Sequence, residues 1–146
     1  MASAELEAII NGLRSNPYTA DKSLELLREE SESKGERPLP EGASHELVDA
    51  GGVSAEWVNM PASRPDRLLL FMHGGGYYRG SARSARTSAA WIAGATAARV
   101  LSIDYRLAPE HPFPAAIEDT QTAYRWLLSI GLKPERIVVG GVSAGG

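Results

Sequence analysis

The fold is decided by the stretch Arg136-Ile137-Val138-Val139-Gly140-Gly141-Val142-Ser143-Ala144-Gly145-Gly146. Its first residues are apolar and β-branched, which predicts a buried strand. A strand that runs into Gly-x-Ser-x-Gly predicts a nucleophile elbow, a sharp turn that lifts the serine above the edge of a sheet. Such a turn needs glycine at 141 and 145, because backbone passes close to the serine at both positions. Ser143 is therefore the candidate nucleophile, although the same short pattern also occurs by chance in loose glycine-rich segments.

Composition excludes several classes of function. The length suits one domain, and the formal charge of −3 gives no basic surface for nucleic acid or anionic membrane. The absence of cysteine excludes disulfides and thiolate catalysis, and the three histidines lie too far apart in sequence to favour a zinc site. The longest apolar run, Leu68–Met72, cannot span a bilayer, and an N-terminus carrying Glu5 and Glu7 does not resemble a signal peptide. We expect a soluble, cytoplasmic protein without a membrane span.

The N-terminal region has the pattern of two helices. Apolar residues recur at helical spacing over Ala4–Leu13, and Asn16-Pro17 ends that pattern. Thr19 or Asp21 is the expected cap of a second helix that runs to about Lys34 with a crowded polar face. Two interpretations stay open for both helices: packing on the domain, which the sequence slightly favours, or a mobile lid over a site.

The rest of the chain alternates between strands and helices. After a loop over 35–42, two short strands flank Ala50-Gly51-Gly52, which predicts a hairpin with His45 as an ordinary strand residue. The further elements expected are a strand at 67–72, a helix at 84–98, a strand at 100–104, a proline-rich loop at 105–114, a helix at 115–131 and a strand entering the elbow. The predicted buried side of the last helix comprises Ile117, Tyr124, Trp126 and Leu127. This order predicts an α/β fold with a mostly parallel sheet and an antiparallel N-terminal hairpin.

A triple glycine follows the strand at 67–72, in His73-Gly74-Gly75-Gly76. It suits a plain turn, a phosphate cradle or the donors of an oxyanion hole. A dinucleotide fingerprint fails because Arg79 stands where its third glycine belongs, and a P-loop fails because Gly80 is not followed by Lys-Ser/Thr. An HGGG-type loop that supplies backbone N–H groups to an oxyanion fits without adjustment.

Three motifs in this order resemble those of one family. They are His73-Gly74-Gly75-Gly76, then Asp104-Tyr105-Arg106-Leu107-Ala108-Pro109-Glu110-His111-Pro112-Phe113-Pro114-Ala115-Ala116, then Gly141-Val142-Ser143-Ala144-Gly145-Gly146. The chain resembles the hormone-sensitive-lipase-like (bacterial family IV) esterases of the α/β-hydrolase superfamily. The similarity extends over about 66–146, and before that only the general layout fits.

The resemblance implies a role for individual residues. Ser143 corresponds to the nucleophile, and the backbone N–H groups of Gly75, Gly76 and Ala144 correspond to the oxyanion hole. The residues that it assigns to support of the motifs are His73, Gly74, Gly141, Gly145, Asp104 and Glu110, and His111 is likewise read as structural. Aromatic residues near the site either line an acyl or alcohol pocket or simply pack, namely Tyr77, Tyr78 and Trp91.

The resemblance also implies a reaction: hydrolysis of small to medium acyl esters through an acyl-enzyme, with no metal or organic cofactor. Residues 1–42 correspond to part of a cap, and residues 43–146 to the first part, with five strands, of the catalytic domain. The acid and the histidine of the triad are expected beyond Gly146, in a C-terminal part that residues 1–146 alone would need for activity. Oligomerisation is compatible with the pattern. Val142 departs from the family's usual Asp and is expected to alter local packing and hydrogen bonding without loss of the chemistry. A non-catalytic ligand-binding module of the same fold is the alternative.

Overall fold

The computed structural model describes residues 3–15 and 22–146. In chain order the helices and strands are α1 (Ala4–Ser15), α2 (Leu24–Glu32), β1 (Ser44–Asp49), β2 (Ser54–Asn59), β3 (Arg64–Met72), α3 (Ala82–Thr96), β4 (Ala98–Ile103), α4 (Ala115–Ser129) and β5 (Ile137–Gly141). Short 3₁₀ turns lie at Ser33–Glu36, Pro134–Arg136 and Ser143–Gly145. None of the helices in the described ranges is long and apolar enough to cross a membrane.

The five strands form one mixed sheet in the order β1-β2-β4-β3-β5. The hairpin of β1 and β2 is antiparallel, and β2 also pairs antiparallel with β4. The other two pairs, β3 with β4 and β3 with β5, are parallel. The predicted α/β-hydrolase architecture, a mostly parallel sheet with an antiparallel N-terminal hairpin, is confirmed.

The three parallel strands end at the same level of the sheet. Met72 at the end of β3 is in register with Ile103 of β4 on one side and with Gly141 of β5 on the other. The loops that follow these strands therefore emerge side by side at one edge. Ligands of open α/β sheets bind outside the carboxyl ends of the strands, so this edge is where a site is expected.

Each face of the sheet carries its own apolar core. Residues that alternate along β3 divide between the faces: Leu70 packs in a cluster with Leu127 of α4, and Phe71 in a cluster with the alanines of α3. The small side chains of α3 allow close approach to the sheet, and Arg86 of α3 forms a buried ion pair with Glu56 of β2. The helices thus cover opposite faces and fix the strand ends between them.

Some sequence-based expectations were wrong in detail. Within residues 1–146, β5 lies at the edge of the sheet and leaves Val138 65% and Val139 51% exposed, so the burial expected for this strand is not seen in this part of the protein. Ile117 of α4 is 46% exposed and does not belong to the buried side. α3 begins at Ala82 rather than Ser84, because the Ser81 side chain caps the helix and Ser84 completes a capping box.

The N-terminal helices differ from each other in their packing. α1 has no buried residue within residues 1–146, and both interpretations, packing on the domain and a mobile lid, stay open for it. α2 begins at Leu24 with Ser23 as its cap, and it buries Leu27. The predicted break at Asn16-Pro17 and the caps expected at Thr19 or Asp21 lie outside the described residues.

Candidate active site

Ser143 sits on a tight turn directly after β5. Its φ is +56°, in the left-handed region that residues with a β-carbon rarely adopt. The turn is closed by backbone bonds from Gly145 N to Val142 O (3.0 Å) and from Gly146 N to Ser143 O (3.0 Å). Strain of this kind, about 1–3 kcal/mol, clusters at functional sites. The turn leaves Ser143 exposed at the carboxyl edge of the sheet.

Steric crowding explains why the residues two positions before and two positions after Ser143 are glycines. A β-carbon on Gly141 would overlap the carbonyl oxygen of Gly145 and lie 2.5 Å from that of Met72. A β-carbon on Gly145 would overlap the Met72 oxygen and lie 2.7 Å from the His73 oxygen. Backbone atoms cannot move aside as a side chain can, so both positions require glycine.

The triple-glycine loop packs against this turn. Val142 N donates to Met72 O at 3.2 Å, which joins the start of the elbow to the end of β3. A β-carbon on Gly74 would lie 2.9 Å from Val142 O and 3.4 Å from the β-carbon of Ser143. The structure therefore brings the loop and the serine together, as an oxyanion hole requires.

The loop itself requires glycine at 75, where a β-carbon would overlap the carbonyl oxygen of Arg79. Gly75 and Gly76 have φ values of +141° and +63°. The carbonyl oxygen of Gly75 accepts bonds from Tyr78 N and Arg79 N, both at 3.2 Å. Within residues 3–15 and 22–146, the N–H groups of Gly75, Gly76 and Ala144 donate to no protein acceptor. These N–H groups are the ones that the sequence assigned to the oxyanion.

His73 lies in the interior beneath the loop and is 1% exposed. Its Nδ1 is 2.9 Å from Gly74 O, which requires an Nδ1–H donor, and its ring stacks on Tyr105 with centroids 4.2 Å apart. The Tyr105 hydroxyl donates to His73 O at 2.6 Å. Burial lowers the pKa of His73 and raises the pKa of Tyr105 to about 12, so both side chains stay neutral at pH 7. A buried ring of this kind suits a supporting residue better than a general base.

Asp104 follows β4 and faces the start of α3. Its Oδ1 accepts from Ala82 N at 2.6 Å, and its Oδ2 lies 3.4 Å from the Ser54 hydroxyl. A carboxylate at a helix N-terminus is stabilised by the unpaired N–H groups there. Burial nevertheless raises the pKa of Asp104 above its ordinary value. These contacts suit the structural role that the sequence assigned to it.

The remaining sequence candidates divide by position. Tyr77 is 47% exposed and, with Ala144, lines a cavity of about 250 Å³ beside the elbow. Trp91 is 66% exposed on α3 and does not line this cavity or the neighbouring one, which Tyr77 also lines. His45 and His111 are exposed, and Val142 is 52% exposed in place of the family's usual Asp.

Two arginines of this region were not anticipated from the sequence. Arg28 of α2 donates to Tyr78 O, to Ala108 O and to both carboxylate oxygens of Glu110. Arg106 binds the buried carboxylate of Asp119 through Nε, at 2.9 Å to Oδ1, and so joins the proline-rich loop to α4. Their partners lie too far away along the chain for a local pattern to reveal them.

Comparisons with known proteins agree with this geometry. The family described as alpha/beta hydrolase fold matches residues 69–146. An acetyl-hydrolase of Streptomyces hygroscopicus is 40% identical over 99% of this chain and 48% of its own length. Esterase LipI of Mycobacterium tuberculosis is 36% identical over 86% of this chain and 43% of its own length.

Solved structures show the same likeness. An esterase from the bacterial hormone-sensitive lipase family superposes with a TM-score of 0.89 at 45% identity, over 99% of this chain and 49% of that one. The crystal structure of EstE5 soaked with p-nitrophenyl butyrate superposes with a TM-score of 0.91 at 38% identity, over 99% of this chain and 49% of that one. The chain spans about half the length of the curated relatives and solved structures that it matches.

Proposed function

The chain belongs to the hormone-sensitive-lipase-like (bacterial family IV) esterases of the α/β-hydrolase superfamily, and on this basis we propose that it supplies the nucleophile and oxyanion hole of a carboxylic ester hydrolase. The observation that carries the proposal is the strained Ser143, at φ +56°, packed against the triple-glycine loop. The substrates are small to medium acyl esters. A similar esterase was soaked with a butyrate ester, and a similar protein is an acetyl-hydrolase.

Acylation begins at the Ser143 hydroxyl. Its oxygen attacks the ester carbonyl carbon while a histidine takes the proton, because an unassisted serine hydroxyl is a poor nucleophile. The tetrahedral intermediate carries a negative oxygen, which accepts bonds from the N–H groups of Gly75, Gly76 and Ala144. Loss of one such donor typically costs about 2.7–4 kcal/mol of barrier. The C–O bond then breaks, and the alcohol leaves with the proton from the imidazolium.

Deacylation repeats the sequence with water. The histidine removes a proton from water, the hydroxide attacks the acyl carbonyl, and Ser143 leaves with that proton as the acid is released. The same N–H groups stabilise the second oxyanion. We propose that the histidine and its orienting acid are residues after Gly146, because both follow the serine in α/β-hydrolases, whereas all three histidines of this sequence precede Ser143. Residues 1–146 alone are then expected to turn over negligibly.

The experiment uses the complete enzyme, meaning the chain together with the residues that supply this acid and histidine. Hydrolysis of p-nitrophenyl acetate and butyrate is compared between the wild type and Ser143→Ala. Ser88→Ala, at an exposed serine of α3, is the matched control. We expect full activity in the control and a loss of roughly 10⁴-fold or more in Ser143→Ala. Ester hydrolysis that survives Ser143→Ala would refute the proposal, and a wild type that hydrolyses no ester would favour a non-catalytic binding module.

A further inference from the structure

The Arg28 side chain joins three segments that are distant in sequence. From α2, its Nε donates to Tyr78 O at 2.9 Å and its Nη2 to Ala108 O at 3.0 Å. Nη1 and Nη2 bind the two oxygens of Glu110 at 2.8 and 2.7 Å. One guanidinium thus holds the turn after the triple glycine and the proline-rich loop at the same time.

The Tyr78 carbonyl belongs to the turn that shapes the oxyanion donors. Tyr78 N and Arg79 N both donate to Gly75 O, so they constrain the Gly75–Gly76 peptide, the plane that carries the Gly76 N–H group. The preceding carbonyl, Tyr77 O, accepts from Ala108 N at 2.7 Å. Arg28 therefore closes a ring of bonds in which the turn and the proline-rich loop hold each other in place.

The chemistry of these contacts suits arginine specifically. A planar guanidinium can bind a carboxylate with one edge and carbonyl oxygens with its other N–H groups, whereas a lysine ammonium has no fixed fork. The hydrogen bonds from Arg28 lower the pKa of Glu110 to about 2, so the carboxylate is charged throughout the physiological range.

The ion pair between Arg28 and Glu110 is not the main effect of the Arg28 side chain. The Arg28 and Glu110 side chains are 31% and 51% exposed, and pairs of such exposure contribute little to stability because solvent screens them. The main effect of Arg28 is to fix the relative positions of two backbone carbonyls, Tyr78 O and Ala108 O, because both accept bonds from one rigid guanidinium. Such an effect on geometry is expected to change the reaction rate more than the stability of the fold, because the rate depends on how the loop places its N–H groups.

We propose that Arg28 is a positioning residue for ester hydrolysis, which holds the Gly75–Tyr78 turn in the geometry that aims the Gly76 N–H group at the oxyanion. This inference rests on the proposed function. It also gives α2 of the N-terminal segment, residues 1–42, a part in the chemical step in addition to its expected part in a cap.

Kinetics of the complete enzyme provide the first test. For Arg28→Gln we expect kcat to fall roughly tenfold to a hundredfold, as for a displaced catalytic group, with KM changed less than about threefold. Arg28→Lys keeps the charge but loses the fork, so its kcat falls too. Glu110→Gln keeps the carbonyl bonds and loses less. The matched control is Arg64→Gln, at an exposed arginine that binds Asp66 through two bonds, and its kcat stays unchanged.

Amide hydrogen exchange provides a test that does not depend on activity. The bonded amides of Tyr78, Arg79 and Ala108 are expected to exchange roughly tenfold faster in Arg28→Gln, while core amides of β3 and β4 keep their protection. Unchanged exchange at these amides would overturn the proposal, whether or not the wild type hydrolyses esters. Unchanged kcat in both Arg28 variants of an active enzyme would also overturn it. Loss of protection throughout the sheet in both variants would assign Arg28 to folding instead.

Discussion

Ser143 lies beside Gly74: a β-carbon added to Gly74 would be 3.4 Å from the β-carbon of the serine. The contact follows from the sheet. β3 and β5 are parallel neighbours, with Met72 and Gly141 in register, so the segments that follow them leave the same edge together. Neither loop alone forms a site, because the hydroxyl comes from one and two of the three proposed oxyanion donors from the other.

The contact predicts that Gly74→Ala damages the site. The added methyl group would lie 2.9 Å from Val142 O, and backbone would have to shift to relieve it. We expect unfolding to become easier by about 1–3 kcal/mol, as for other overpacked positions, and kcat/KM to fall at least about tenfold because the two loops separate. Thermal denaturation and p-nitrophenyl ester kinetics of the complete enzyme measure both effects.

Gly94→Ala is the control for that substitution. Gly94 lies within α3, and a β-carbon there would meet only the Met60 side chain, with Cγ at 3.6 Å and Cε at 4.0 Å, both ordinary van der Waals distances. Replacing a helical glycine of this kind is expected to stabilise the protein by about 0.4–1 kcal/mol without changing the kinetics. Equal behaviour of the two variants would contradict the steric account of Gly74.

Tyr105→Phe tests the support beneath the loop. The substitution keeps the ring that stacks on His73 but removes the hydroxyl that donates to His73 O at 2.6 Å. A buried acceptor that loses its donor is expected to cost about 1–3 kcal/mol of the free energy of unfolding. Tyr124→Phe on α4 is the control. Tyr124 is half-buried, and its hydroxyl has no hydrogen-bond partner within residues 3–15 and 22–146. Equal stability of Tyr105→Phe and wild type would argue against this support.

Glu110 predicts how stability depends on pH. Its bonds from Arg28 lower the pKa from an ordinary 4.5 to about 2 in the folded protein. The unfolded chain then binds a proton more readily, so the contribution of Glu110 is fully present above about pH 4.5 and is lost as pH falls toward about 2. The melting temperature of wild type should exceed that of Glu110→Gln at pH 7 by a small amount, because solvent screens the pair, and the difference should shrink over this window. A difference that stays constant from neutral pH to about pH 2 would contradict the Arg28–Glu110 contact.

The sequence was most informative where the pattern is local. The order of the elements, the hairpin and the strand that enters the elbow follow from periodicity and glycine placement, and the structure confirms the fold class. The steric need for glycine at 141 and 145 was also expected, and the structure explains it, because a β-carbon at either position would overlap a backbone carbonyl oxygen. The catalytic roles themselves stay predictions.

Contacts between distant segments were not predictable in the same way. Arg28 looked like one of several charges on the solvent face of a helix, yet its partner Glu110 lies 82 positions along the chain. The edge position of β5 within residues 1–146 was not predicted either, because an apolar run predicts a strand but not its place in the sheet. In both cases the decisive information is the tertiary arrangement of distant segments, which no single segment contains.

Covalent labelling tests the central claim most directly. The complete enzyme is treated with a fluorophosphonate, which forms an oxygen–phosphorus bond to an activated serine and releases fluoride, and the product is analysed by intact mass and peptide mapping. We expect one phosphonate per chain, attached to Ser143 and absent from Ser143→Ala. An enzyme that hydrolyses p-nitrophenyl esters while its label resides on another residue would contradict the assignment of Ser143 as the nucleophile.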